Sequence, residues 1–259
     1  MLSASLVALM TLAACVAGFV DAIAGGGGLI VLPCLLLAGL PPHYALSANK
    51  FSATLGTSIA LRTFASQGLV LWRVALLGVP FSLLGAFVGS ILTLYIPAEQ
   101  LSAILVLLLP VALAITLMPK PLRKEPSSTP VRPWKVALVC LLIGLYDGFF
   151  GPGTGSFLIL AFHAFLAIDF LHASATAKVL NLASNLASTL TFIVSGTMLW
   201  FLAVPMALGS ITGNILGSRF AIRKGSEGVR RVLAFSLILL TATMLYKYFV
   251  PQLIRLCTS

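Results

Sequence analysis

Two aspartates stand alone inside long apolar runs, and each is followed four residues later by glycines. The first copy reads Gly18-Phe19-Val20-Asp21-Ala22-Ile23-Ala24-Gly25-Gly26-Gly27-Gly28, and the second runs from Gly144 through Asp147 to Gly151-Pro152-Gly153-Thr154-Gly155. A carboxylate in apolar surroundings must be paired, hydrogen-bonded or neutral. Asp21 and Asp147 therefore suit proton coupling, or the orientation of the glycine loops by their side chains. A second polar set opens with Asn49-Lys50 and repeats as Lys178, Asn181 and Asn185, which share one helix face at i, i+3 and i+7. Ammonium and amide groups of this kind bind anions. The plainer reading of each lysine is snorkelling to the nearer interface, and that of each glycine run is a tight turn.

The elements that carry these residues are set by composition. The chain of 259 residues is 59% hydrophobic and 8% charged, with mean hydropathy +1.10, whereas soluble domains carry about a quarter charged residues. Several apolar runs approach the roughly 20 residues that span a bilayer, and they lack the period of two of barrel strands. The fold class is an all-α polytopic membrane protein. The net charge of +10 collects between apolar runs, at Lys120, Arg123, Lys124, Arg132 and Lys135 and at Arg219, Arg223, Lys224, Arg230 and Arg231. That is the pattern of cytoplasmic loops, and it leaves no module for nucleic acid.

Cys15, Cys34, Cys140 and Cys257 have no metal-ligand spacing, and no metal or cofactor is expected. Leu12-Ala13-Ala14-Cys15 resembles a lipoprotein cleavage site. Residues 1–17 hold no Lys or Arg, however, and so read as a retained first helix. His43, Asp169 and His172 read as interfacial polar residues, and Trp72 and Trp200 as interface anchors.

The chain repeats itself. Lys50 recurs as Lys178, Phe64 as Phe192, Gly68 as Gly196, Trp72 as Trp200, Gly85 as Gly213 and Gly89 as Gly217, each 128 positions on, while Asp21 and Asp147 match at 126. Two repeats, 1–118 and 134–259, flank a Pro-rich basic linker at 119–133 that is placed in the cytoplasm. Each repeat reads as five segments: 2–23, 29–40, 45–66, 73–95 and 98–118, then 134–150, 155–167, 173–195, 200–220 and 229–250. The second member of each set has about a dozen residues, roughly 18 Å of helix, and is a short span or a re-entrant limb after a broken helix. An odd number of segments inverts the halves. Loop charge agrees: 67–73 is flanked by Arg62 and Arg73 while its counterpart near 195–200 is uncharged, and the basic loop 219–231 answers a turn at 95–99 holding Glu99. Both termini then lie outside the cytoplasm. Gly85 and Gly89, like Gly209, Gly213 and Gly217, read as close helix packing.

Inverted repeats with broken helices place binding sites near the bilayer midplane. The expected substrate site takes Gly25, Gly26, Gly27, Gly28, Asn49, Lys50, Gly151, Gly153, Thr154, Gly155, Lys178, Asn181 and Asn185, with Asp21 and Asp147 as coupling or loop-orienting groups. The short helices would aim free amides and positive dipole ends at a shared, positively biased chamber. Gly151-Pro152-Gly153-Thr154-Gly155-Ser156 is not a phosphate loop, because no Gly-Lys-Ser/Thr follows.

These residues resemble the sulfite exporter TauE/SafE family, also called the toluene sulfonate uptake permease family. The likeness rests on Gly18 to Ile30 with Pro33 and Gly39, on Ala48-Asn49-Lys50, and on the degenerate second copy around Asp147 and Gly151-Pro152-Gly153. The family's familiar threonine before Asn-Lys is Ala48 here. The resemblance implies passage of small sulfur-containing anions or organic acids, such as sulfite, thiosulfate or a sulfonate like sulfoacetate, across a bacterial inner membrane. The expected function is a secondary transporter of such an anion by alternating access, not an enzyme, with the anion and the lipid bilayer as partners and homo-oligomerisation left open. The alternatives are an intramembrane enzyme using the Asp21/Asp147 pair and a passive structural subunit without a wet cavity.

Overall fold

The structure is a computed structural model that describes residues 3–117 and 133–225. The expected linker, apart from Pro133, and the expected segment 229–250 lie outside the described residues. Among those described, all regular structure is helical. The helices are α1 (Ala4–Ala24), α2 (Gly28–Leu37), α3 (Pro42–Ser66), α4 (Trp72–Tyr95), α5 (Ala98–Leu117), α6 (Pro133–Phe149), α7 (Thr154–Leu166), α8 (Phe170–Val194) and α9 (Trp200–Gly225). Four of them, α1, α4, α8 and α9, are long and apolar enough to cross a membrane, and α2 and α7 are shorter apolar helices.

Helix α3 has the length of a span but not its hydropathy. The reason is its load of buried polar residues, Ser47, Asn49, Lys50, Ser52 and Thr57. Both lysine helices begin earlier than their apolar pattern suggests. Pro42 supplies a preset φ at the first turn of α3, and Asp169 caps α8 by accepting from the amides of Leu171 and His172. Lys50 and Lys178 each lie eight positions beyond the first helical residue, Pro42 and Phe170. That is about 12 Å along the axis and too deep for easy snorkelling.

Helix α1 ends where Gly25 adopts φ +73° and its amide caps the carbonyl of Asp21 at 2.8 Å. The Cα of Gly25 lies against Gly155 with no room for a side chain on either residue. Ser156 ties this contact down, its amide donating to Gly25 O at 3.3 Å and its hydroxyl to Ala24 O at 2.7 Å. Ser174 of α8 donates to Ile23 O at 3.0 Å, so carbonyls freed by the break in α1 regain donors.

Apolar side chains form two buried clusters. One holds Ala22–Ala24, Ala60, Phe64, Val74, Val136, Cys140, the α7 residues Leu158–Leu160 and the first half of α8. The other holds Met10, Ala14, Ala17, the α2 residues Leu29, Val31, Leu32 and Leu35, the start of α3, Phe150, Phe192 and the start of α9. Chain direction follows. Helices α1, α3 and α9 run from the second cluster towards the first, whereas α6 and α8 run from the first towards the second. Each short helix returns to the cluster from which its predecessor set out, α2 after α1 and α7 after α6. Cross-links at the helix ends agree: Ser47, early in α3, donates to Thr197 O beyond the end of α8, and the amide of Leu71 beyond α3 donates to Thr176 early in α8.

Glycines set the closest helix contacts. A methyl group on Gly85 or Gly89 would meet Leu141 O or Leu145 O of α6, and one on Gly209, Gly213 or Gly217 would meet Thr11, Cys15 or Phe19 O of α1. The contacts advance together along both chains, so α4 runs parallel to α6 and α9 parallel to α1. The side chains left between the two apolar clusters are polar, and they enclose the site.

Candidate functional site at the crossed ion pairs

The site is made by two broken spans and two lysine helices. Lys50 of α3 donates to Asp147 Oδ1 of α6 at 2.7 Å, and Lys178 of α8 donates to Asp21 Oδ2 of α1 at 2.9 Å. Each lysine thus pairs with the aspartate from the other half of the chain. All four side chains sit where water is scarce: Lys50 and Lys178 are each 1% exposed, Asp147 is 2% and Asp21 is 14%. Removing charge from water costs several kcal/mol per ion, which only pairing and further hydrogen bonds offset.

Those further bonds differ between the pairs. Asp147 also accepts from the Thr154 hydroxyl at 2.7 Å on Oδ1 and from the Ser184 hydroxyl on Oδ2. Lys50 donates in addition to Asn185 Oδ1 at 3.2 Å, and Asn185 is aimed by its own donation to Asn181 Oδ1 at 3.0 Å. Asp21 is held more lightly: among the described residues, beyond Lys178, its Oδ1 accepts only a long 3.4 Å bond from the amide of Gly27. Lys178 has a second anchor, the backbone carbonyl of Asp21.

Between the pairs lies a cavity of about 30 Å³, more than the roughly 10–15 Å³ that one buried water needs. Its walls include Asp21, Gly25, Gly27, Gly28, Asn49, Lys50, Asp147, Gly151, Thr154, Gly155, Asn181 and Asn185. Of the expected site residues, Gly26, Gly153 and Lys178 do not line it. Lys178 stands behind Asp21, and Gly153 faces Leu29 and Phe157. Ser52 and Ser210 line the cavity without having been singled out. Ser210 escaped because α9 carries no charge before Arg219, and its only signal is a match to Ser82 at the repeat spacing. Gly151, at φ +89°, lets the Lys50 ammonium pass over it, with room for no more than hydrogen on that side.

Two expectations change. The chamber carries two cations and two carboxylates, so its formal charge balances instead of being positive. The first-turn amides are also less free than expected. Leu29 N donates to Gly26 O at 3.1 Å, Ile30 N to Gly27 O at 3.0 Å and Phe157 N to Gly153 O at 2.9 Å. The short helices close their first turns on their own loops, which leaves lysine and asparagine side chains as the main donors.

The remaining expectations divide by position. His43 donates from its ring Nε2 to Thr93 O at 3.1 Å, His172 pairs with Asp169 at 2.6 Å near the surface, and Trp72 and Trp200 are each about half exposed, at 47% and 50%. Cys15, Cys34 and Cys140 are free thiols. Among the described residues, no group of His, Cys, Asp and Glu could hold a metal ion.

The family model described as "Sulfite exporter TauE/SafE" matches residues 10–244. The chain is 38% identical over 242 residues to "Probable membrane transporter protein ORF9" of Sinorhizobium sp, covering 93% of this chain and 92% of that one. It is 35% identical over 248 residues to "Probable membrane transporter protein YfcA" of Escherichia coli, covering 95% and 92%, and 37% identical over 232 residues to a "Probable membrane transporter protein" of Haemophilus influenzae, covering 89% and 91%. No solved structure matches significantly. With a match over nearly its whole length and relatives of the same extent, the chain belongs to the TauE/SafE family of membrane transporters.

Proposed function

We propose that the chain is a secondary transporter of a small sulfur-containing anion, such as sulfite, thiosulfate or an organosulfonate like sulfoacetate. It works by alternating access in a cell inner membrane. The observation that carries this reading is the crossed pairing. Lys50 lines one small cavity together with polar amides and backbone-only glycine loops from both halves of the chain, and Lys178 stands behind Asp21 on its wall. Buried ionisable residues at membrane depth are costly, and in transporters they mark the substrate or ion path. The anion is seated by Lys50, Lys178, Asn49, Asn181 and Asn185, with Gly25, Gly27, Gly28, Gly151, Thr154 and Gly155 as close walls. Gly26 and Gly153 serve by giving the tips their turn.

Opposite chain directions in matching helices, α1 against α6 and α3 against α8, support an inverted arrangement of the two repeats, with α2 and α7 as re-entrant limbs. In such an arrangement one repeat rocks against the other around a fixed midplane site. The basic loops then face the cytoplasm and both termini lie outside. The enzyme alternative gains no support from the contacts, since each carboxylate is taken by a lysine and by hydroxyls or an amide rather than by the second carboxylate.

The test is flux into proteoliposomes holding the purified full chain, over sulfite, thiosulfate and sulfoacetate. Saturable uptake of at least one, abolished by Lys50→Ala and by Lys178→Ala, is the expected result. Absence of flux for every small anion, or flux indifferent to both substitutions, would reject the proposal.

A further inference from the structure

The two ion pairs share a plan but not a tightness, and the difference assigns them different work. Asp147 is gripped by three side-chain donors from three helices, Lys50 of α3, Thr154 of α7 and Ser184 of α8. Asp21 has one strong side-chain donor, Lys178, and keeps 14% of its side chain exposed on the cavity wall. If the Asp21 carboxylate leaves, Lys178 is still fixed by the Asp21 backbone carbonyl. The ammonium then stays in place with its charge unmatched. An unmatched buried cation is a strong seat for an anion.

We propose that the Asp21 carboxylate is a resident stand-in for the substrate, exchanged for the anion by taking up one proton. This rests on the anion-transport reading above and adds its energy source. A proton from the aqueous phase adds to a carboxylate oxygen of Asp21 and the Lys178–Asp21 pair opens. A monoanion takes the vacated place on Lys178, and the site's formal charge is the same as before. Release reverses both events on the other side, so anion and proton travel together. For a monoanion the cycle moves no net charge, and for a dianion it moves one negative charge.

The groups facing Asp21 agree with this role. From α8 it meets Lys178, from its own loop the Gly27 amide, and across the cavity lie Lys50 of α3 and Asp147 of α6, already committed to each other. Helices α7 and α9 contribute the hydroxyls of Thr154 and Ser210, which carry no charge. Asp147 is thus the fixed counter-ion of Lys50, and Asp21 is the carboxylate that can let go.

The experiment uses wild-type proteoliposomes with a trapped pH indicator and a clamped membrane potential. The probes are thiosulfate and sulfoacetate, which do not themselves exchange protons near neutral pH. An inward anion gradient is expected to acidify the lumen, with about one proton entering per anion, and an imposed inward proton gradient to accelerate uptake. Asp21→Asn is expected to bring the protons moved per anion to zero and to flatten the pH dependence of whatever flux remains, while Asp21→Glu restores coupling. Anion flux in the wild type with no proton movement and no response to a pH gradient would overturn this inference and leave the transport reading standing. Failure of every anion to move would overturn both.

Discussion

Replacing Lys50 by methionine removes one charge while keeping an unbranched chain of similar length. The Asp147 carboxylate is then left 2% exposed with two hydroxyl donors, Thr154 and Ser184, and no cation. Breaking a buried pair in this way costs about 3–5 kcal/mol, because the orphaned charge stays out of water. At 1.36 kcal/mol per decade that is roughly a hundredfold to several thousandfold in the ratio of folded to unfolded protein. In a chain of this size it lowers the unfolding midpoint by roughly 6–20 °C. The double variant Lys50→Met/Asp147→Asn removes both charges and should recover most of the loss, since a neutral pair of similar shape is often no less stable than an ion pair. Lys178→Met should cost less, about 1–3 kcal/mol, because Asp21 reaches the cavity and can be hydrated or protonated there. Thermal unfolding in lipid nanodiscs, followed by tryptophan fluorescence, measures all of these. Loss in the double variant equal to the sum of the two single losses would show that Lys50 and Asp147 do not interact, and the reasoning would fail. A larger loss in Lys178→Met than in Lys50→Met would refute the ranking of the pairs.

Other substitutions test other levels of the account. Gly148→Val drives a branched side chain into the Ala86 backbone at the α4–α6 contact and should abolish recovery of folded protein, whereas Gly68→Asn, at φ +68° with open space around it, should be near neutral in the same expression assay. Ser184→Ala removes one hydroxyl from Asp147 and should lower stability by about 1–2 kcal/mol, with slower anion uptake in proteoliposomes. Single cysteines at Gln67 and Thr197, in a background free of the native thiols, should be labelled by an impermeant maleimide from opposite faces of the membrane. Labelling of both from one face would contradict inverted repeats.

Much of this arrangement is legible in the sequence, because membrane depth makes polar residues conspicuous. Asp21, Lys50, Asp147 and Lys178 stand out against an apolar background, and spacings of 126 for the aspartates and 128 for the lysines group them into matching pairs. Helix α3 shows the value of that spacing. Its polar residues depress its hydropathy below that of a span, yet its match to α8 reveals it. What was not readable is which lysine meets which aspartate. Lys50 and Asp147 are 97 positions apart, and their pairing depends on how α3 crosses α6 and α8, which no local pattern encodes. The charge of the chamber balances because all four groups meet there, whichever lysine takes which aspartate.

The most direct measurement of the central claim is a structure of the full chain determined with thiosulfate bound. The account predicts anion density in the cavity beside Gly25 and Gly155, within hydrogen-bonding reach of the Lys178 ammonium, with the Asp21 carboxylate turned away and the Lys50–Asp147 pair intact. Thiosulfate bound elsewhere, with both crossed pairs still closed around an empty cavity, would contradict it.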